Sequence, residues 1–143
     1  MRALKRRLVF ISHSSKDTWV AKQIARWISR CGATPFLDEA DVDVGEDFEE
    51  RILYFLERAH ECLVLLTPWA LDRPYVWAEV GAAFGRRIPI VVVLHGMTAT
   101  ELQSKPGIPV FLKKLDLVDL NNVDLYFRQL SARMKKRKRS RGH

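Results

Sequence analysis

The chain has 143 residues, 48% hydrophobic and 10% aromatic, with 24 Lys plus Arg against 17 Asp plus Glu and a formal net charge of +7. That length fits one domain, and the apolar content supplies a real core and excludes a disordered or low-complexity chain. The longest apolar run, residues 88–94 even counting Pro89, is far short of the roughly 20 residues a membrane span needs.

Residues 7–12 read as a short buried strand, and 17–30 as a helix with Trp19, Val20, Ile24, Ala25, Trp27 and Ile28 at helical spacing. Ser14 or Ser15 caps that helix and Gly32 stops it. Residues 33–37 read as a second strand and the acidic stretch 38–45 as a loop. A helix is expected over 46–60, with Phe48, Ile52, Phe55, Leu56 and Ala59 on one face. Glu46, Asp47, Glu49 and Glu50 in its first turn suit the positive end of the helix dipole. Residues 62–66 form a third strand, 67–74 a breaker-rich loop, 75–86 a helix and 88–94 a strand. A helical turn over 98–104, a weaker strand over 110–117 and a helix from 121 to about 136 complete the chain.

Residues 63–66 and 90–94 are apolar on both sides rather than alternating, as in parallel strands covered on both faces. The pattern implies a flavodoxin-like α/β three-layer sandwich, with about five parallel strands and helices on both faces. Ligands in such sheets bind at the carboxyl ends of the strands. That rule selects the loops at 12–17, 38–45 and 67–74, and the chain from His95 onward.

The positive charge is uneven. Lys135, Lys136, Arg137, Lys138, Arg139 and Arg141 supply six charges, so the rest carries 18 cations against 17 anions. We therefore expect one domain over 1–134 and a basic tail over 135–143, either a frayed end of the last helix or disordered. Solvation accounts for such a tail, with contact to nucleic acid or an anionic membrane as the less expected role. The residues before it show no interleaving of aromatic and basic side chains as a base-stacking platform would.

Residues 1–7 resemble a secretory n-region, but the apolar stretch 8–11 is too short for a signal peptide. Cys31 and Cys62 make neither a disulfide framework nor a metal spacing, so a reducing cytoplasm is expected.

No Gly-x-Gly-x-x-Gly, P-loop, Gly-x-Ser-x-Gly or His-Glu-x-x-His motif is present. Gly81 and Gly85, one helical turn apart, read as a close approach of their helix to the sheet or a neighbour. His13 and His95 fall at strand carboxyl ends, but two histidines without a third ligand argue against a metal. His60 and His143 read as structural or inert. Ser12, Ser14 and Ser15 have no adjacent base, so capping outweighs a nucleophilic role. Glu79 is unusual, a carboxylate in a helix whose early positions, Tyr75, Val76, Trp77, Ala78 and Val80, are predominantly apolar. It is a charge on the solvated face, a group that favours the helix's first turns electrostatically, or a catalytic group.

Residues 9–17, Val-Phe-Ile-Ser-His-Ser-Ser-Lys-Asp, resemble the opening strand and loop of a Toll/interleukin-1 receptor (TIR) domain. Phe36-Leu-Asp38 with the acidic loop to Gly45 resembles that family's second strand and BB loop, and residues 64–68 its third strand. Residues 75–90 resemble the helix and fourth strand that follow. The similarity runs in order along nearly the whole chain, and is particular to the bacterial branch of standalone TIR proteins.

The resemblance implies an NAD+ nucleosidase, acting in bacterial antiviral defence, with Glu79 as the catalytic glutamate and NAD+ as substrate; no cofactor and no metal are expected. Nicotinamide leaves as a neutral molecule, so no general acid is needed. The oxocarbenium-like ribose is what a carboxylate stabilises. Capture by water gives ADP-ribose, and capture within the molecule a cyclic isomer. By the same resemblance Phe10, Ser12, His13, Ser14 and Lys16 line the nucleotide pocket, with Lys16 facing the pyrophosphate. Asp38 and Gly45 border the site or meet a neighbouring subunit. The family's tryptophan four residues before the glutamate is Tyr75 here, which can still stack on a ring. Trp77 lies on another helix face and reads as core.

The family also implies self-association through TIR surfaces including the loop 38–47, and contact with other TIR proteins or a downstream effector that senses the nucleotide product. Two alternatives stand beside the enzyme: a non-catalytic TIR interaction module in which Glu79 is structural, and a base-exchange enzyme akin to nucleoside deoxyribosyltransferases.

Overall fold

The computed structural model describes residues 7–37, 54, 56–108, 112 and 115–141. Its five strands are β1 (Leu8–Ser12), β2 (Thr34–Leu37), β3 (Glu61–Leu66), β4 (Ile90–Leu94) and β5 (Asp116–Asp119). They lie in the order β2-β1-β3-β4-β5, with every pairing parallel. This is the flavodoxin-like order, which reverses direction between β1 and β3. Pro35 falls on β2, an edge strand, where its missing N–H is tolerated.

Among the described residues, helices α1 (Thr18–Arg30), α2 (Pro74–Gly85), α3 (Ala99–Ser104) and α4 (Val123–Arg141) cover the sheet. Side chains alternate across each strand and so divide the core in two. Val9, Ile11, Leu63, Leu65 and Val93 pack with Ala21, Ile24 and Ile28 of α1 and with Tyr126, Phe127 and Leu130 of α4. Phe10, Cys62, Val64, Leu66, Ile90 and Val92 pack on the other face with Val76, Val80 and Ala83 of α2, and with Leu56, Leu102 and Leu112.

Most expected elements stand within two residues of their predicted limits. Gly32 ends α1 at φ +95°, a conformation that costs glycine nothing. Gly96, at φ +78°, turns the chain after β4 so closely that a Cβ would lie 3.2 Å from Pro68 Cδ. The fifth strand is displaced from its predicted span, 110–117, to Asp116–Asp119. Leu112 is instead a fully buried plug on the α2 face, so an apolar cluster that reads as strand serves the core.

Of the helix expected over 46–60, residues 54 and 56–58 are described and helical, with Leu56 buried. Phe48, Ile52, Phe55 and the acidic first turn lie outside the described residues. The last helix extends beyond residue 136 to Arg141, so the basic run continues α4. Gly81 and Gly85 do not mark a close approach. Both are exposed, and a Cβ at either would meet nothing within 4 Å.

Glu61 pins the amino end of the sheet. Arg7 Nε donates to its Oε1 at 2.6 Å, Arg133 Nη2 reaches the same oxygen at 3.3 Å, and the Tyr126 hydroxyl donates to Oε2. Glu61 itself is buried. Burial, followed by the adjacent Glu61 charge, pushes the Tyr126 phenol well above its ordinary range. Among the described residues no helix is long and apolar enough to cross a membrane.

Candidate functional site

The carboxyl end of β1 gathers the polar residues of the sequence motif. Ser12 follows Phe10 by two positions and so shares its α2-facing side of the sheet. Ser12 is fully buried, and among the described residues its hydroxyl meets no hydrogen-bond partner. His13, also buried, holds Nδ1 2.8 Å from the Ser14 carbonyl oxygen. A carbonyl only accepts, so Nδ1 carries the proton, and in the neutral ring Nε2 is left an acceptor. Nε2 too meets no partner among the described residues. Two buried polar atoms on adjacent residues thus meet no partner among the described residues, an arrangement that costs free energy.

Ser14 shapes the loop. Its hydroxyl accepts from Lys16 N at 3.2 Å and caps the short 3-10 turn Ser15–Asp17 that leads into α1. Lys16 is exposed. Asp17 folds back into the interior, where it accepts the Thr67 hydroxyl proton at 2.6 Å. Thr67 Oγ1 in turn accepts from Ala70 N at 3.1 Å. This Asp17–Thr67 link ties the loop after β1 to the loop after β3. The sequence reading passed over it; a carboxylate just inside a helix start, facing a threonine at the end of a wholly apolar strand, was the available signal.

Glu79 lies on the sheet-facing stripe of α2. Val76, Val80 and Ala83 occupy that stripe, and position 79 is three residues after the first, which places it on the same side. The carboxylate is 0% exposed. The solvated-face reading of Glu79 is therefore excluded. Its charge is felt on the facing side of the sheet: burial first, and then Glu79 and Glu61, push the Cys62 thiol far above its usual range. Cys62 is paired with Phe10 on one side and Ile90 on the other, so Glu79 faces the central strands. In such a low-dielectric setting a carboxylate interacts strongly with any cation that enters.

The remaining predicted residues distribute as follows. Phe10 is a fully buried part of the α2-side core. Tyr75 is the second residue of α2, one turn before Glu79. Asp38 and Gly45 lie outside the described residues. Trp77 is half-buried at the margin of the α2-side core and donates its Nε1–H to the Leu71 carbonyl at 2.9 Å, in keeping with a packing role. His95 is not drawn toward Glu79. It lines a groove of about 1160 Å³ between α1 and α4, on the opposite face of the sheet. That groove is floored by Trp27 stacked on Phe127, at 5.9 Å between ring centroids, with the Arg30 guanidinium 4.9 Å over the Trp27 ring.

The strand order, the polar side chains collected at the carboxyl end of β1, and helices on both faces of the sheet define a flavodoxin-like α/β protein. A sequence model of the TIR domain matches residues 9–133. The chain belongs to the TIR domain family. No curated protein matches the sequence. Among solved structures it is similar to the TIR domain of the Toll-related receptor TRR-2 from Hydra magnipapillata, at 21% identity and a TM-score of 0.63, covering 91% of this chain and 95% of that one. It is similar also to a TIR-STING receptor from C. gigas in complex with 2',3'-cGAMP, at 22% identity and a TM-score of 0.66, over 86% of this chain and 39% of that one. The TIR domains of the activated Roq1 resistosome align at 12% identity with a TM-score of 0.63, over 91% of this chain and 98% of that one. At these identities the likeness is one of fold.

Proposed function

We propose that this TIR protein cleaves NAD+ at the nicotinamide–ribose bond, with Glu79 as the catalytic group, in a bacterial antiviral signalling pathway. The observation that carries the reading is the placement of Glu79. The carboxylate is completely buried on the sheet-facing stripe of α2. It is suited to stabilising positive charge that develops on a ribose as a neutral nicotinamide departs. Ser12 Oγ and His13 Nε2, buried and unmatched among the described residues, offer polar contacts at the end of β1. The exposed Lys16 supplies the counter-charge for the pyrophosphate. Asp38, Gly45 and Tyr75 complete the proposed pocket. Water then yields ADP-ribose, and capture within the molecule a cyclic isomer.

Because Glu79 is sealed from solvent here, turnover requires an arrangement that uncovers it. Association with a second copy is the means we propose, so specific activity rises steeply with protein concentration. Concentrated protein incubated with NAD+, in parallel with Glu79→Ala, tests the assignment by chromatography and mass spectrometry of nicotinamide, ADP-ribose and cyclic isomers. Nicotinamide release that vanishes in the variant is expected; equal release by both proteins sinks the role of Glu79.

A second reading, a non-catalytic TIR interaction module, is favoured by one observation. Trp19 and Trp27 stand 72% and 50% exposed beside the α1–α4 groove, an aromatic surface of the kind that partners cover. Under that reading concentrated protein releases no nicotinamide.

A further inference from the structure

We propose that residues 135–141, the last two turns of α4, bind duplex DNA through its phosphates. The site is separate from Glu79 and does not depend on NAD+ cleavage.

The division of α4 carries the argument. Up to residue 134 the helix belongs to the body: Tyr126, Phe127 and Leu130 are buried, and Met134 packs against the same core. Arg133 is engaged by the body through Glu61. Lys135 and Lys136 are exposed, and the helix continues to Arg141 with six cations in seven positions and no apolar residue. At about 1.5 Å per residue this segment is roughly 10 Å long. Cations at the carboxyl end of a helix are favoured by its dipole, which helps offset their mutual repulsion.

The arrangement of the charges selects the partner. With each position turned about 100° from the last, the six cationic positions leave no angular gap around the axis wider than about 100°. A flat bilayer meets only one side of such a helix, and nothing apolar is present to enter the acyl region. The major groove of B-form DNA, about 12 Å wide, admits a helix and lines both of its flanks with phosphates. The deep, narrow major groove of duplex RNA does not. The Lys and Arg of residues 135–141 supply the cations that phosphate contacts require. Apart from these six cations the chain carries 18 positive against 17 negative side chains, so the segment holds nearly all of the net charge available for binding a polyanion.

The test is fluorescence anisotropy of a labelled 20-base-pair DNA duplex titrated with the full chain between 50 and 200 mM NaCl. Six phosphate contacts predict a log–log salt slope near −5 and about a thousand-fold loss of affinity across that range. Replacing all six cations by Gln, a good helix former, is expected to abolish binding and leave the melting curve unchanged. Lys138→Pro and Lys138→Gln remove the same charge, but only the first breaks the helix. The proline variant is expected to bind at least tenfold more weakly than the glutamine one. A slope shallower than −2, undiminished binding by the six-Gln variant, or equal binding by the two Lys138 variants overturns the proposal. So does tighter binding to vesicles containing about a third phosphatidylserine than to the duplex. Loss of NAD+ cleavage in Glu79→Ala leaves all of these readouts untouched.

Discussion

Two glutamates are buried against opposite faces of the same sheet, and their surroundings differ. Glu61, at the amino end of β3 and facing α4, is met by two guanidiniums and a phenol. Glu79 sits on an apolar stripe between Val76, Val80 and Ala83, facing the central strands from the other side. A buried carboxylate held by several donors is a fastener; its removal leaves the opposing charges stranded. Glu79, fully buried on α2 against the central strands, is the one to which we assign the proposed chemistry.

Exchanging each carboxylate for its amide sharpens the contrast. Glu79→Gln is expected to lower nicotinamide release by about a thousand-fold or more, equivalent to about 4 kcal/mol of transition-state stabilisation, with the melting midpoint nearly unchanged. If release persists and the protein instead unfolds, the two residues have the same job. Glu61→Gln is expected to do the reverse: a loss of about 3 kcal/mol of stability, seen as a melting midpoint lowered by roughly 10 °C, with turnover per folded molecule retained.

Thr67→Val removes the donor to Asp17 and is expected to cost about 1 to 3 kcal/mol. Because the link spans the loops after β1 and β3, KM for NAD+ should rise more than kcat falls. A pure stability loss with unchanged KM would make the link a fastener like Glu61.

Alkaline pH gives the smallest effect. The Cys62 and Tyr126 groups keep their protons in the folded state far beyond their ordinary values of 9.0 and 10.0. The unfolded chain therefore holds fewer protons once pH passes 9, and stability falls from there upward. Thermal melts between pH 8 and 11 should show that decline, and Tyr126→Phe should flatten its upper part. An identical slope in the variant would contradict the assignment.

Much of this fold was legible because its signals are local. Residues 63–66 and 90–94, apolar throughout, specify central parallel strands, and Gly32 specifies a stop. The fifth strand was misplaced because β5 has only Leu117 and Val118 inside it; pairing with β4, a nonlocal contact, fixes where it lies. Likewise Gly81 and Gly85 have a spacing that suggests contact, while burial, which spacing does not encode, shows both exposed. Glu79 was readable as unusual, and its position three after Val76 and one before Val80 already put it on the inward stripe. The Glu61 cluster needed residues 7, 61, 126 and 133 brought together from three separate elements, which no window of sequence displays.

The tryptophans have an optical consequence. Trp19, Trp27 and Trp69 are 72%, 50% and 49% exposed, while Trp77 alone turns toward a core. The intrinsic emission of the native protein is accordingly dominated by indoles already in contact with water. Denaturation will shift its wavelength little, whereas quenching by a soluble agent such as acrylamide will be efficient before any unfolding. A partner that settles over the α1–α4 groove would report itself as protection of Trp19 and Trp27 from that quencher.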